Sequence, residues 1–155
     1  MDVPPELLLN PELSRLAFDE RILTMVEDAS MPLLERVRFL SMFWTRLDDF
    51  FMTRIAEFKD QVNDGESEFT PDGLSPVEQL EVTRLRARQV AMRAYDDLNH
   101  SLLPELASQG IKVQRWSEIE ESDRQHLLNE YGGPIETVIT PEIADPTHPN
   151  PHIRN

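Results

Sequence analysis

The chain has 155 residues, 39% of them hydrophobic and none cysteine, which suits one packed core, or one domain with the beginning of a second, and excludes disulfides, thiolate nucleophiles and cysteine-based zinc sites. Its 29 acidic and 15 basic side chains leave a net charge of −14, a field that repels nucleic acid, anionic lipid and free polyanions. No apolar run approaches the roughly 20 residues of a membrane span, and the opening MDVPPELLLN lacks a basic start and a cleavable apolar stretch. The expectation is a cytoplasmic protein with no nucleic-acid or membrane partner.

Asn10 followed by Pro11 reads as a helix N-cap with proline at the first helical position. From there to about Asp28, the residues Leu13, Leu16, Ala17, Leu23 and Val26 fall near one face. A second start at Ser30 to Pro32 leads into Leu33, Leu34, Val37, Leu40, Phe43, Trp44, Leu47, Phe50, Phe51, Ile55 and Phe58, one long helix or two stacked ones ending near Val62. The stretch NDGESEFTPDGLSP mixes glycine, proline and acids and predicts an exposed loop. Ser75, Pro76 and Glu78 form a capping-box signature. The helix it opens carries Leu80, Leu85, Val90, Met92, Tyr95, Leu98 and Leu102, with Pro104 disturbing its last turn and Gly110 as its stop. Long helices with short connections predict an all-α antiparallel bundle over residues 1–110. Beyond Gly110, IKVQRW alternates like a short strand and SEIEESDRQHLLNEY reads as a turn and a short helix. The proline-rich tail PTHPNPHIRN shows no apolar periodicity and is expected to be irregular.

Three blocks carry a family likeness. NPELSRLAFDERIL, residues 10–23, is similar to N-R-E-L-S-W-L-x-F-N-E-R-V-L. PLLERVRFLSMFWTRLDDFFMTRIAEFK, residues 32–59, is similar to P-L-x-E-R-x-x-F-L-x-I-x-S-N-N-L-D-E-F-F-x-V-R. More weakly, LLPELASQGIKVQRW and TPEIADPTHPNPHIRN look like the passage T-P-L-x-x-D-P-x-H-P-F-P-x-I-S-N. In that order and spacing the chain resembles the N-terminal domain of the histidine-phosphorylated type of polyphosphate kinase, followed over residues 111–155 by the start of its head domain.

The resemblance implies a helical module that forms the adenine-side wall of an ATP and magnesium-dependent phosphotransferase. The catalytic domains are then partners, and this chain alone is expected to hold no cofactor and no catalytic residue. It also implies a departure: Trp44, Thr45 and Arg46 stand where the family has S-N-N, so that Arg46, with Thr45, takes the nucleotide-contacting position. A guanidinium can stack on a base or pair with a phosphate, but it lacks the acceptor oxygen of an amide. Arg15 likewise replaces the family tryptophan, and Asn150 an aromatic residue.

The remaining polar clusters read first as structure. Asp48 and Asp49 point about 100° apart on a helix, so they suit pairing with Arg46, Arg54 or Arg38 in a polar network better than shared metal ligation. Glu35, Arg36 and Arg38, with Asp19, Glu20 and Arg21, have the mixed signs of interhelical salt bridges. Arg84, Arg86, Arg88 and Arg93 are spread around a helix among acids rather than aligned as a nucleic-acid stripe. His148 and His152 lie in the tail without further metal ligands. Weak or no nucleotide affinity is expected of the isolated chain. The alternative function is a free-standing helical interaction or regulatory protein that has lost nucleotide recognition.

Overall fold

The computed structural model describes residues 4–141 together with residues 143, 145 and 147. The chain divides into two compact units, Met1–Lys112 and Val113–Asn155. Its regular structure among the described residues is all helical.

In the first unit, α1 (Pro11–Glu27) opens on Asn10, whose side-chain oxygen accepts from the backbone N–H groups of Glu12 and Leu13, both at 3.0 Å. The Asn10 amide nitrogen donates to Gln79 Oε1 at 2.6 Å and to Asp72 Oδ2 at 2.9 Å, so one residue starts a helix and ties it to two other segments. Helix α2 (Leu33–Phe50) continues through a π turn (Phe51–Ile55) into α3 (Ala56–Asn63). Helix α4 (Pro76–Asp97) begins with the Ser75/Glu78 capping box and continues through a second π turn (Leu98–Leu102) into α5 (Leu103–Ser108). The rods over residues 33–63 and 76–108 are therefore continuous, with one widened turn each.

Both π turns have a readable cause or consequence. Pro104 has no N–H, and its ring would collide with the carbonyl four residues back in a regular helix. Here Leu103 N–H instead reaches back five residues to Leu98 O. In the first rod, the extra residue makes the buried stripe step from Phe50 to Ile55 rather than to position 54. Phe51, expected in the core, is thereby turned 42% exposed, and Arg54 is released to face α1.

The core is filled by Leu16, Leu23 and Val26 of α1 and by Leu40, Phe43, Leu47 and Phe50 of α2. Burying each such side chain contributes roughly 1.5–3 kcal/mol. Helix α4 departs from expectation: Leu85, Met92 and Tyr95 are exposed, whereas Gln79, Thr83, Ala87, Val90 and Ala94 are buried. The large side chains of α1 and α2 take up the interior volume, and the small face of α4 leaves them room. Ala17 is exposed as well. The loop before α4 is ordered by its own bonds, Leu74 N–H donating to Thr70 Oγ1 at 3.0 Å and Gly73 N–H to Thr70 O at 2.8 Å. Gly110, at φ 83°, ends the last rod in a conformation that favours glycine.

In the second unit, a 3₁₀ turn (Trp116–Glu118) precedes α6 (Glu121–Glu130), and further helical turns extend to Val138, broken by a kink at Gly133 (φ −106°, ψ −111°). The strand expected over IKVQRW does not form. Arg115 N–H is taken by the Glu118 carboxylate at 2.8 Å, and no strand is present among the described residues to pair with the segment. No described residue of this unit is buried. Most of PTHPNPHIRN, with Asn150, His148 and His152, lies outside the described residues. Among the described residues no helix is long and apolar enough to cross a membrane.

Candidate functional site

The polar chemistry of the first unit is concentrated where the helices meet. Acids recur on α1 at Glu12, Asp19, Glu20 and Glu27, seven or eight residues apart and hence on adjoining faces. Helix α2 runs antiparallel to α1 and brings arginines to the same levels. Arg54 donates to Glu12 Oε1 through Nε (2.8 Å) and Nη2 (2.5 Å). Arg46 donates through Nε to Asp19 Oδ1. Arg36 donates through Nε to the Val26 carbonyl at 2.6 Å, through Nη1 to Glu105 at 2.6 Å and through Nη2 to Ser101 at 2.8 Å. Helix α4 runs parallel to α1 and adds a second seam: Arg93 grips Glu27 with two bonds of 2.6 Å and Glu20 with one of 3.0 Å, while Arg86 donates to the other oxygen of Glu20.

Burial sets the electrostatics of these pairs. Asp19 is fully buried and Arg36 is 4% exposed. Arg46 satisfies one oxygen of Asp19, Oδ1, while Oδ2 is buried with no hydrogen-bond partner among the described residues, so the buried charge depends on this one partner. Hydrogen bonding to Glu12, opposed by burial, holds the Arg54 guanidinium proton more firmly than usual, and bonding to Glu27 does the same for Arg93. Asp97 moves the other way. Burial, then the charge of Glu27, pushes its carboxyl above the ordinary range, and its Oδ2 has no hydrogen-bond partner among the described residues.

The residues singled out in the sequence are distributed as follows. Arg46 is 38% exposed; its Nε is held by Asp19, its guanidinium lies 5.1 Å over the Phe18 ring, and neither Nη group is hydrogen-bonded among the described residues. Thr45 is exposed and donates to Ser41 O at 3.1 Å. Trp44 turns to the opposite side, meeting Phe43 edge to face at 5.2 Å and lying tilted against Tyr95 at 4.7 Å. Arg38, Asp48, Asp49 and Arg54 do not meet one another: Arg38 lies 3.7 Å from Glu35, Asp49 pairs with Arg15 at 2.6 Å, Arg54 joins Glu12 and Glu57, and Asp48 is exposed outside these pairs. Sequence reasoning missed Glu12, Gln79 and the Arg86/Arg93 seam. The spacing of acids on α1 against that of Arg36 and Arg46 on α2 and Arg54 in the π turn that follows it was the available signal.

Chemically, this is a set of clamps around one partly open guanidinium edge. Among the described residues no group of three or more His, Cys, Asp or Glu could hold a metal ion.

Comparison with known proteins extends over most of the chain. The family model of the polyphosphate kinase N-terminal domain matches residues 8–114. The polyphosphate kinase of Streptomyces coelicolor is 40% identical over 151 residues, covering 97% of this chain and 20% of the relative. That of Mycobacterium marinum is 38% identical over 151 residues, with the same coverage. That of Mycobacterium avium is 36% identical over 152 residues, covering 98% of this chain and 21% of the relative. The chain thus spans about a fifth of the length of the curated relatives it matches. No solved structure matches it.

Proposed function

The chain belongs to the polyphosphate kinase N-terminal domain family, and from that premise we propose that it acts as the adenine-side wall of a polyphosphate kinase, docked on catalytic domains that carry out the transfer from ATP. In this reading ATP and magnesium are brought together by those domains. This chain contributes shape and one guanidinium edge, that of Arg46, with Thr45 beside it.

The observation that carries the reading is the posture of Arg46. Its Nε is anchored on a buried carboxylate, its face lies over Phe18, and its Nη groups are left without a hydrogen bond among the described residues, on a side chain that is 38% exposed. A guanidinium held in this way loses little rotamer freedom when it meets a phosphate or the face of a base. It donates but does not accept, so it favours the phosphates or the ring face over the base edge that an amide would read. The test is reconstitution: the chain is mixed with separately produced catalytic domains of a related polyphosphate kinase, and polyphosphate synthesis is followed. Activity that depends on adding the chain supports the reading; mixtures that never gain activity overturn it.

The same Arg46 geometry favours a second reading. A pair formed internally with Asp19 replaces two amides of the family pattern, as in a helical interaction protein that no longer binds nucleotide. That reading predicts a stable fold with no response to ATP.

A further inference from the structure

Among the described residues, Arg84 and Arg88 have no carboxylate partner, although the chain carries 29 acids and most of its arginines are paired. They are four residues apart on α4, which brings them to one face about 6 Å from each other. Between them and the first π turn lies an open cavity of about 440 Å³. Ala87 and Ala91 form its floor, and Phe51 and Leu85 its walls. Phe51 is 42% exposed and Leu85 60%, two large apolar side chains beside two exposed guanidinium groups.

Each feature has a cause in the sequence. The π turn rotates Phe51 out of the core, and the small face of α4 presents alanines where bulkier residues would close the gap. The cavity shares no residue with the Arg46 edge. We propose that this groove is a docking site for a protein partner: a helical segment that seats an apolar side chain on Ala87 and Ala91, between Phe51 and Leu85, and carries two carboxylates one helical turn apart against Arg84 and Arg88. Charge complementarity selects the carboxylates, since guanidinium forks bind them in matched pairs. The apolar floor and walls select a protein segment over an inorganic polyanion, which gains nothing from desolvating Phe51 and Leu85.

The probe is a capped helical peptide with two glutamates four residues apart and a leucine three residues after the first, on the adjoining face, titrated into the isotope-labelled full chain. Saturable shifts of the Arg84 and Arg88 Nε–Hε signals and of the Leu85 amide are expected. A glutamine version of the peptide binds more weakly by roughly tenfold or more. The Arg84→Gln/Arg88→Gln chain loses the same factor while its Tm is unchanged, because neither side chain has a partner to lose. Absence of saturable shifts, equal binding of the two peptides, or undiminished binding by the double variant overturns the proposal. A tripolyphosphate arm separates the classes: tripolyphosphate that displaces the peptide and outbinds it makes the groove a small-anion site and also overturns the proposal. Failure here leaves the reading of Arg46 untouched.

Discussion

The seam between α1 and α2 and the seam between α1 and α4 use the same residue types with different consequences. In the first, the carboxylates are shut away: the side chain of Asp19 is 0% exposed and that of Glu12 8%. In the second, Glu20 and Glu27 are 29% and 36% exposed, and water shares their charge. The number and shortness of the bonds are similar, so the lesson is about burial. A buried acid makes its arginine indispensable, whereas a half-exposed acid can replace a lost arginine with solvent.

Arg46→Ala breaks the comparison most severely. It strands the Asp19 charge in the core and is expected to cost about 3–5 kcal/mol, read as a fall in the denaturant midpoint. The double change Asp19→Asn/Arg46→Asn sharpens it: with no charge left to strand, most of that loss should return, and a double variant as unstable as Arg46→Ala would contradict the account. Arg36→Met comes next. The buried Val26 carbonyl loses its donor while the half-exposed Glu105 is rehydrated, for about 2 kcal/mol. In the second seam, Arg93→Ala should cost no more than about 1 kcal/mol, and less at high salt.

The smallest effect carries a pH signature. Because the folded-state pKa of Asp97 is raised, chiefly by burial and then by Glu27 against the opposing charges of Arg93 and Arg36, its ionised form burdens the native state above that pKa. The burden lifts as pH falls through the raised folded value toward the unfolded one. Asp97→Asn should therefore give a slight gain in stability at neutral pH that disappears in acid. Chemical denaturation at several pH values checks it, and a gain that grows in acid would contradict the assigned cause.

Much of the fold was legible. Asn10–Pro11 and the Ser75/Glu78 box mark the helix starts where they occur, because these caps are local and rest on side-chain to backbone bonds a few residues apart. The buried face of α4 was not legible from periodicity. Leu85, Met92 and Tyr95 sit outside, since the choice of face is made by the volume that α1 and α2 already fill. Phe51 was misassigned to the core because a regular helical count cannot foresee the residue inserted by a π turn. For the site, the likeness of residues 32–59 to the family pattern singled out Arg46 by position, but its partner Asp19 became visible only when α1 and α2 were set antiparallel. The strand expected over IKVQRW failed for want of a neighbour, a tertiary condition that alternation alone does not supply.

The central claim is that the Arg46 turn of α2 still offers an edge to nucleotide. The direct measurement is a titration of the isotope-labelled chain with ATP and magnesium, following the amides of residues 44–49 and the Arg46 Nε–Hε signal. The account predicts weak, saturable shifts confined to that turn. No shift up to millimolar ATP, with the fold intact, would contradict it and favour a protein that has kept the bundle without the nucleotide.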